Sequence, residues 1–555
     1  MAALIVLPPV AILMLILWLG VNVPFQDDWD TVDVLAKWHE GTVGFADFWR
    51  QHSEHRIPVT RAFIWLLGIF SRYNLVVEML AGFVFAVLAL PLVAALLRRA
   101  LAGHADHLVR PMTAVASALL FSLVLHENWF SGTASLELFV LRFVTVALVW
   151  AFVRWPRETK GVVVAMMCAL VGMFAEAAGL ALWVTGGVAI WIAYEGERRR
   201  VLVASVWAFV AATVIWLYVH GLAWDQPDSA DRFAHAIRFA LFTTAGLGLP
   251  FAYGTSAEVC AAVGAFGCGA MVLATWSIAR TRPDAVRNLI PMLLLALQGL
   301  LGAMLIALGR SMLETKYAMT SHYAFGSSLF WVAVIAIVAL AFAVAPVSAE
   351  PARRIVTYGV AAAALVLCVG FVNANLAGYD IAYTTSRNLD MALASLYSAD
   401  QPPTDVARFL YPPDEDRVRR QIARLKRLRL GPFAASTNQV ARHRQDGTTK
   451  VAPPGSRDGF FDGGDCSRAL GWAWDPAHPT ARVDVEVWHG AIKLGVAAAN
   501  WFRRDLLKAG IGDGQHAFVY YFPSTLPLGT GESISVTYAG TSAQLRGSPT
   551  VVMCR

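Results

Sequence analysis

Long apolar runs are the feature of this sequence that most limits what it can fold into. Several runs of roughly eighteen or more residues with almost no charge recur between Ala2 and Asn375, and no comparable run follows Gly378. A run of this length is typical of an α-helix that crosses a bilayer. Only 15% of the residues are charged, against about a quarter in an average soluble domain. We therefore predict an α-helical multi-pass membrane protein with a polar C-terminal part.

The apolar runs predict about eleven transmembrane helices. Glu176 and Gly179 favour two spans rather than one between residues 161 and 194, because a carboxylate at the middle of a bilayer is costly. The apolar segment Ala234–Tyr253 is short and rich in glycine, so we expect it to lie at the outer surface or to re-enter without crossing. The predicted spans are Ala2–Val23, Val76–Leu97, Met112–Leu125, Leu136–Val153, Gly161–Met173, Leu180–Tyr194, Val201–His220, Ala257–Ile278, Leu289–Leu308, Ser327–Ala345 and Val356–Asn375.

Basic residues are concentrated in alternate connections and so predict the orientation. The connections after every second span carry arginine and lysine, whereas the short connections His126–Thr133 and Phe174–Gly179 carry none. Because cytoplasmic loops are enriched in basic residues, we expect the N-terminus in the cytoplasm and the chain after Asn375 on the outer side. The net charge of +6 is modest and lies mostly in loops, which indicates contact with lipid headgroups rather than with nucleic acid.

The first outer loop, residues 24–75, concentrates the polar chemistry of the membrane part. Asp27, Asp28 and Asp30 come directly after the first span, and the stretch His52–Arg56 precedes an amphipathic segment. The spacing of apolar residues predicts two short helices in this loop, both lying in the membrane interface. A long loop rich in Trp, His and carboxylates is more than a connector, so we expect the functional site here.

Three interpretations of these acids are open. In the first, Asp27 or Asp28 is a general base that deprotonates an acceptor hydroxyl while a lipid phosphate leaves. In the second, Asp27, Asp28 and Asp30, with Glu54 or His55, hold a divalent cation such as Mg²⁺ or Mn²⁺. In the third, the acids only cap the first interfacial helix. His52 and His55 could also ligate zinc, but no third ligand is evident and we do not predict a zinc site.

Two short motifs of the loop carry a resemblance to a known class of enzymes. The stretches Gln26–Asp30 and Gln51–Arg56 resemble those of bacterial members of the GT-C class of glycosyltransferases. The layout of many spans, a long first outer loop and a C-terminal domain is similar too. The resemblance implies an inverting transfer of a sugar from a polyprenyl-phosphate donor at the outer face of the bacterial inner membrane.

The resemblance also implies a catalytic base in the first outer loop. Asp28 is the first candidate for this base and Asp27 is the second. Glu54, His55 and Arg56 would complete the site, with Arg56 contributing to the binding of the donor phosphate.

The loop from Gly309 to Tyr323 offers further cations for that phosphate. Arg310 is the best candidate, because a guanidinium pairs bidentately with phosphate, and Lys316 is the second. Arg310 could instead be a snorkelling anchor at a helix end. Similar proteins often carry an Arg-Tyr pair where this sequence has His322 and Tyr323, so His322 is a phosphate-binding candidate that departs from the pattern.

Aromatic residues of the outer loops are candidates for binding the acceptor or the sugar. They are Trp29, Trp129 and Tyr323, although Trp129 could instead belong to an interfacial aromatic belt. Glu137 and Arg142 lie within a predicted span, where charges are functional candidates by default. We expect both to have a structural role, each pairing with other buried groups.

The C-terminal part changes from helical to strand periodicity. Val483, Val485 and Val487 alternate with charged residues, as in a half-buried strand. The last ninety or so residues therefore predict an all-β sandwich. Cys466 and Cys554 flank this domain, and a disulfide between them is expected if the domain is extracytoplasmic.

Three strings in this domain resemble a β-sandwich module that is attached to several bacterial surface-glycan glycosyltransferases. They are Gly471–Pro476, Phe502–Leu506 and Gly510–Gly514. Three tryptophans of the domain could stack on sugar rings, but we expect at least two of them to lie in the core: Trp472, Trp474 and Trp488.

The sequence therefore predicts three regions: a GT-C-like transmembrane domain (1–376), interfacial helices and a linker (377–448), and a β-sandwich (449–555). The expected function is glycosyl transfer from a polyprenyl-phosphate-linked sugar to a cell-envelope glycan or glycolipid on the extracytoplasmic face, with the lipid bilayer as a further partner. A polysaccharide ligase or polymerase is an alternative, but the late outer loop is short for that class. A lipid-linked glycan flippase or transporter is another, but few charges line the predicted bundle and no internal repeat is present.

Overall fold

The computed structural model describes residues 1–223, 232–310, 315–345, 350–412, 414–434, 457–523 and 531–552. The chain forms two compact units. The first contains Met1–Asn22 and Asp30–Ala382, and the second contains Val23–Trp29 and Tyr383–Arg555. The segment that carries Asp27 and Asp28 therefore groups with the C-terminal unit.

The first unit is built almost entirely of α-helices, with one two-stranded hairpin. Its helices are α1 (Ala2–Leu19), α2 (Asp28–His39), α3 (Phe45–Trp49), α4 (Pro58–Ser71), α5 (Leu75–Leu101), α6 (Val109–Leu120), α7 (His126–Phe130), α8 (Gly132–Arg154), α9 (Thr159–Ala175), α10 (Ala181–Ala193), α11 (Arg200–Val219), α12 (Arg232–Ala252), α13 (Ala257–Thr281), α14 (Pro283–Arg310), α15 (Ala324–Val344) and α16 (Glu350–Ser398), the last of which continues into the second unit. The hairpin is β1 (Gln51–His52) and β2 (His55–Arg56).

The prediction of a helical membrane protein is confirmed. Among the described residues, nine helical segments are long and apolar enough to cross a membrane. Of the remaining predicted spans, Gly161–Met173 and Leu180–Tyr194 correspond to α9 and α10, which are apolar but shorter. The two helices that were predicted in the first outer loop are α2 and α4.

The helix break that was predicted near Glu176 is present. Glu176 has extended backbone angles, φ −159° and ψ 150°, and its carboxylate accepts a hydrogen bond from the backbone N–H of Ala178 at 2.6 Å. Gly179 allows the chain to pass close to α9, since an added Cβ would lie 2.1 Å from the carbonyl oxygen of Gly172. Both residues that suggested two spans therefore contribute to the break.

Of the two positions expected for Ala234–Tyr253, the one at the outer surface is wrong for the C-terminal half, while re-entry without crossing stays a prediction and Ala236–Ala252 is shorter than the spanning helices. The segment forms α12, which packs against α13, α14 and α15 and is buried over most of Phe242–Tyr253. The physical reason is its glycines, which allow two helix backbones to touch. A Cβ on Gly248 would lie 1.9 Å from the carbonyl oxygen of Cys260, and one on Gly264 equally close to that of Thr244.

The stretch Ile381–Tyr397, which the sequence predicts as an interfacial helix, is helical but is not separate from the last span, because α16 runs without a break from Glu350 to Ser398. Gly378 does not end the helix, since it serves as a packing residue. A Cβ there would lie 2.1 Å from the carbonyl oxygen of Leu123. The side chain of Asn375 accepts a hydrogen bond from the backbone N–H of the same leucine at 2.7 Å.

The second unit contains three short helices and two antiparallel sheets. The helices are α17 (Thr404–Leu410), α18 (Glu415–Leu428) and α19 (Arg504–Lys508), and the strands are β3 (Asp458–Gly464), β4 (Arg468–Trp474), β5 (Val483–His489), β6 (Ile492–Ala499), β7 (Ala517–Tyr521), β8 (Ser533–Tyr538) and β9 (Thr550–Val551). The strand orders are β3-β4-β7 and β6-β5-β8-β9. Phe461, Val485, Phe518 and Val536 from the two sheets belong to one core, so the β-rich C-terminal region is confirmed.

The expectation that at least two of Trp472, Trp474 and Trp488 lie in the core is wrong, since all three are only partly buried. On β4, the strand alternation points Gly471 and Ala473 inward and thus directs Trp472 and Trp474 to the opposite face. The indole N–H of Trp488 donates to Thr537 Oγ1 at 3.0 Å.

Candidate functional site

The hairpin of the first outer loop presents one carboxylate and two histidines. His52 pairs with His55 across β1 and β2, and Ser53, with φ 47°, forms the turn together with Glu54. The two imidazole rings meet edge to face with centroids 5.3 Å apart. Glu54 is thereby exposed at the tip, while His52 is buried behind it.

Glu54 meets a cation from a distant part of the chain. Arg310, at the end of α14, places Nη2 3.1 Å from Glu54 Oε2, and its Nη1 donates to the hydroxyl of Tyr323. The guanidinium also lies over the Tyr323 ring, 5.5 Å from the centroid. The side chains of Arg310 and Glu54 are 35% and 51% exposed, so an incoming ligand can reach both. Three of the predicted site residues are therefore neighbours.

A second loop, which contains Glu127, is hydrogen-bonded to the segment that precedes Tyr323. The backbone N–H of His322 donates to Glu127 Oε2 at 2.9 Å, and the backbone N–H of Glu127 donates to Ser321 Oγ at 3.2 Å. Ser321 in turn donates to the carbonyl of Val124 at 2.6 Å. These bonds fix the backbone of His322. The imidazole ring of His322 contacts the Tyr323 ring edge to face, with the ring centroids 5.7 Å apart.

His55 lies in a buried and positively charged environment. Burial lowers the pKa of His55 well below its usual value, and the charges of His52, Arg310, His322 and Arg61 act in the same direction. The imidazole is therefore neutral at physiological pH. A neutral imidazole can accept a proton, donate a hydrogen bond or bind a metal, but it does not attract a phosphate by charge.

Arg56 is held by the protein itself. Its Nε, Nη1 and Nη2 donate to the carbonyls of Tyr218, Trp49 and His220 at 3.1, 2.7 and 2.9 Å, and the side chain is buried. These bonds occupy the guanidinium that the sequence assigned to the donor phosphate. The geometry therefore favours a structural role, in which Arg56 ties the hairpin to the end of α11.

Asp27 and Asp28 differ in their surroundings. Asp27 is exposed, whereas Asp28 is 1% exposed and its carboxylate accepts a hydrogen bond from the backbone N–H of Phe25 at 3.1 Å. That bond stabilises the turn before α2, but its donor precedes the helix, so it is not the cap on a free helix N–H that the third interpretation describes. The binding of a Mg²⁺ or Mn²⁺ ion by this pair stays a prediction.

Two aromatic residues that were predicted to bind sugar are buried. The Trp129 ring stacks on Phe139 with centroids 4.0 Å apart, and its N–H donates to the carbonyl of Ser122 at 3.0 Å. Trp129 is therefore a core residue, and the prediction of sugar binding is wrong because the ring has no exposed face. Trp29 is equally buried, with no exposed surface for a sugar ring. Tyr323 remains a candidate, while the side chain of Lys316 lies outside the described residues.

The two charges in α8 both lie among other buried polar groups. Arg142 donates to the carbonyl of Leu120 at 2.9 Å and to Ser328 Oγ at 3.2 Å, which fits a structural role. Glu137 lies beside the hairpin histidines, in line with the expected proximity to other buried groups: it, His52 and His55 each offer a ligand atom, and these atoms are all within 4.8 Å of one another. Its position inside an apolar span was the only sequence signal that could have marked it.

The disulfide prediction is supported for one of its two cysteines. Cys466 is disulfide-bonded, while its predicted partner, Cys554, lies outside the described residues. Cys168, Cys260, Cys268 and Cys368 are free thiols.

The fold and the site define the protein as a polytopic α-helical membrane protein with a β-rich C-terminal unit. Comparisons with protein-family models, with curated proteins and with solved structures give no match to this chain.

Proposed function

We propose that the protein is a membrane glycosyltransferase of the inverting GT-C type. It transfers a sugar from a polyprenyl-phosphate donor to a cell-envelope glycan or glycolipid at the extracytoplasmic face of the bacterial inner membrane. In this proposal the N-terminus is cytoplasmic and the C-terminal β-sandwich is extracytoplasmic.

The observation that carries the proposal is the contact between Glu54 and Arg310 at 3.1 Å. It joins the first outer loop to the loop that begins at the end of α14, although the two residues are 256 positions apart. An accessible guanidinium beside a tyrosine hydroxyl suits a phosphate that leaves with negative charge, since both groups are hydrogen-bond donors. His322, the residue before Tyr323, donates its backbone N–H to the Glu127 carboxylate, which fixes the chain next to Tyr323.

The proposed chemistry is a single displacement at the anomeric carbon. The acceptor hydroxyl oxygen forms a bond to this carbon, and the bond from the carbon to the phosphate oxygen breaks. A carboxylate of the first outer loop takes the hydroxyl proton, and Arg310 stabilises the polyprenyl phosphate that departs. The resemblance assigns the base to Asp28 or Asp27. Asp27 is the exposed member of the pair, which supports it as the base.

The test uses the full-length protein in proteoliposomes with a panel of isotope-labelled polyprenyl-phosphate sugars and glycolipid extracts as acceptors. Wild type is expected to transfer label, and the double variant Asp27→Asn/Asp28→Asn is expected to lose transfer. Glu40→Gln, at an exposed carboxylate of the same loop, serves as the matched control. Full activity in the double variant would exclude both acids as the base.

A second measurement separates an enzyme from a lipid carrier. A phosphonate analogue of the donor keeps the lipid and the sugar but cannot release the sugar. A flippase still moves this analogue across the bilayer, whereas a glycosyltransferase binds it without net movement. Translocation of the analogue at the rate of the natural donor would replace the proposed function with transport.

A further inference from the structure

We propose that His52, His55 and Glu137 form a binding site for one divalent transition-metal ion of the zinc class. The site would connect the hairpin of the first outer loop to α8. It is a separate proposal from glycosyl transfer and does not depend on it.

The first argument is geometric. Two ligands come from opposite strands of the hairpin, and the third comes from a helix more than 80 positions later in the chain. One nitrogen or oxygen atom from each residue lies within 4.8 Å of the other two. Ligand atoms around a tetrahedral zinc ion lie about 3.3 Å apart, since each is about 2.0 Å from the metal. Small rotations of side chains would therefore close the site.

The second argument is burial. His52 and Glu137 are only 3% and 2% exposed. The Nε2 atom of His55 is also buried, and it has no hydrogen-bond partner among the residues that the structure describes. A buried polar nitrogen without a partner costs free energy, which a metal ion would offset by accepting its lone pair. A satisfied core histidine does not have this feature.

The third argument is the surroundings of His52. Its Nδ1 atom lies 3.1 Å from Oδ2 of Asp30, which places a carboxylate within reach of this ring nitrogen although the contact does not have hydrogen-bond geometry. Histidines that bind metals commonly direct their other ring nitrogen to a carboxylate, which fixes the tautomer and makes the ligating nitrogen more basic. In this arrangement Nε2 of His52 is the metal ligand and Asp30 is a positioning residue.

The donor set indicates which metal binds. Two imidazoles and one carboxylate suit zinc and neighbouring transition metals, whereas magnesium and calcium prefer ligand sets made of oxygen alone. Three protein ligands also leave a fourth position for water or for an oxygen of a bound molecule. The alternative arrangement is a metal-free cluster held by hydrogen bonds, which the experiment below distinguishes.

The experiment measures metal binding by the full-length protein in detergent, after the affinity tag is removed and bound metal is stripped with a chelator. Titration with CoCl₂ is expected to give visible absorption bands of four-coordinate Co²⁺ at about one equivalent. ZnCl₂ should abolish these bands, and excess MgCl₂ should leave them unchanged. A charge-transfer band from thiolate to Co²⁺ is not expected, since no cysteine takes part.

Variants then locate the site. His55→Ala and Glu137→Gln are expected to abolish binding, and Asp30→Asn is expected to weaken it by about 10- to 100-fold through the orientation of His52. His39→Ala, at an exposed histidine of the same loop, is the matched control and should bind as wild type does. Melting curves of each variant identify any that fail to fold.

Wild-type protein that binds neither Co²⁺ nor Zn²⁺ overturns the proposal and supports the metal-free cluster. Binding that survives in both His55→Ala and Glu137→Gln also overturns it, because the metal then lies elsewhere. Neither readout involves a sugar donor or an acceptor. A failure here is therefore distinguishable from a failure of glycosyl transfer.

Discussion

Arg310 and Glu54 form an ion pair at 3.1 Å that joins the end of α14 to the β1–β2 hairpin. Both side chains are partly exposed, so the pair contributes little to stability by itself. The pair instead fixes the position of the Arg310 guanidinium, which lies beside the hydroxyl of Tyr323. A phosphate that binds here would accept hydrogen bonds from the Arg310 guanidinium, which now donates to Glu54.

The first prediction concerns Arg310. Replacing it with glutamine should lower kcat/KM for the polyprenyl-phosphate donor by about 10- to 100-fold, since a hydrogen bond to a charged group is worth about 1.5–3 kcal/mol. Glu54→Gln should have a smaller effect if Glu54 only orients the arginine. The measurement is donor-dependent transfer in proteoliposomes, with the exposed Arg238→Gln as control. An equal kcat/KM in Arg310→Gln and wild type would contradict the phosphate-binding role.

The second prediction separates the two neighbouring acids. Asp28→Ala should lower the free energy of unfolding by ~1 kcal/mol, because the buried carboxylate no longer accepts the N–H of Phe25. Asp27→Ala should leave the melting temperature unchanged, since its side chain is exposed, and should reduce transfer. Thermal unfolding in detergent and the transfer assay are measured on the same preparations. The reverse pattern would assign the base to Asp28.

The third prediction concerns Arg56. Lysine keeps the charge, but its single ammonium group cannot reach three carbonyls that lie in different directions. Arg56→Lys should therefore destabilise the protein by at least about 2 kcal/mol, while the KM for the donor in the folded fraction stays at the wild-type value. The exposed Arg98→Lys is the control. A raised KM without a change in melting temperature would restore the phosphate contact that the sequence suggested.

The fourth prediction concerns pH. Burial raises the pKa of Glu176 to about 7, although the N–H of Ala178 and the charge of Arg310 oppose this shift. The ordinary value is 4.5. Because the folded-state pKa is the higher one, the folded protein favours the protonated carboxyl, and stability falls as the pH rises from about 4.5 to 7 and then levels off. The loss is on the order of 3 kcal/mol.

Glu176→Gln keeps an acceptor for the N–H of Ala178 and removes the titration. The melting temperature of this variant should depend less on pH between 5 and 8 than that of wild type. The measurement is a series of melting curves across this range in one detergent. Identical pH profiles for the two proteins would show that Glu176 does not titrate there.

The helices and the strands followed from local patterns in the sequence. Apolar runs of bilayer length predicted most of the helices, and the alternation of Val483, Val485 and Val487 predicted β5. The break at Glu176 followed from the cost of a charge in an apolar segment. Glycines were harder to interpret, because a glycine that ends a helix and one that lets two backbones touch look alike in sequence. Gly248 and Gly378 are of the second kind.

The candidate site was only partly predictable for a related reason. Glu54, Arg310 and Tyr323 were selected by their chemistry, but their contact depends on how distant helices pack. Glu137 was assigned a structural role because nothing near it in sequence indicates the hairpin histidines. Trp129 was wrongly predicted to bind sugar. The sequence alone does not distinguish a tryptophan that is exposed in a loop from one that stacks on Phe139.

The backbone N–H of Gln26 bonds to the carbonyl of Leu410 at 2.8 Å, and the Phe25 ring contacts that of Phe409 with centroids 5.3 Å apart. Val23–Trp29 is therefore a non-contiguous piece of the C-terminal unit. A chimera that carries a foreign C-terminal region on this chain would lose the contacts of Phe25 and Gln26 with Phe409 and Leu410. An exchange that transplants residues 23–29 together with the C-terminal region keeps that pairing intact, and protein engineering on this scaffold should treat the two stretches as one module.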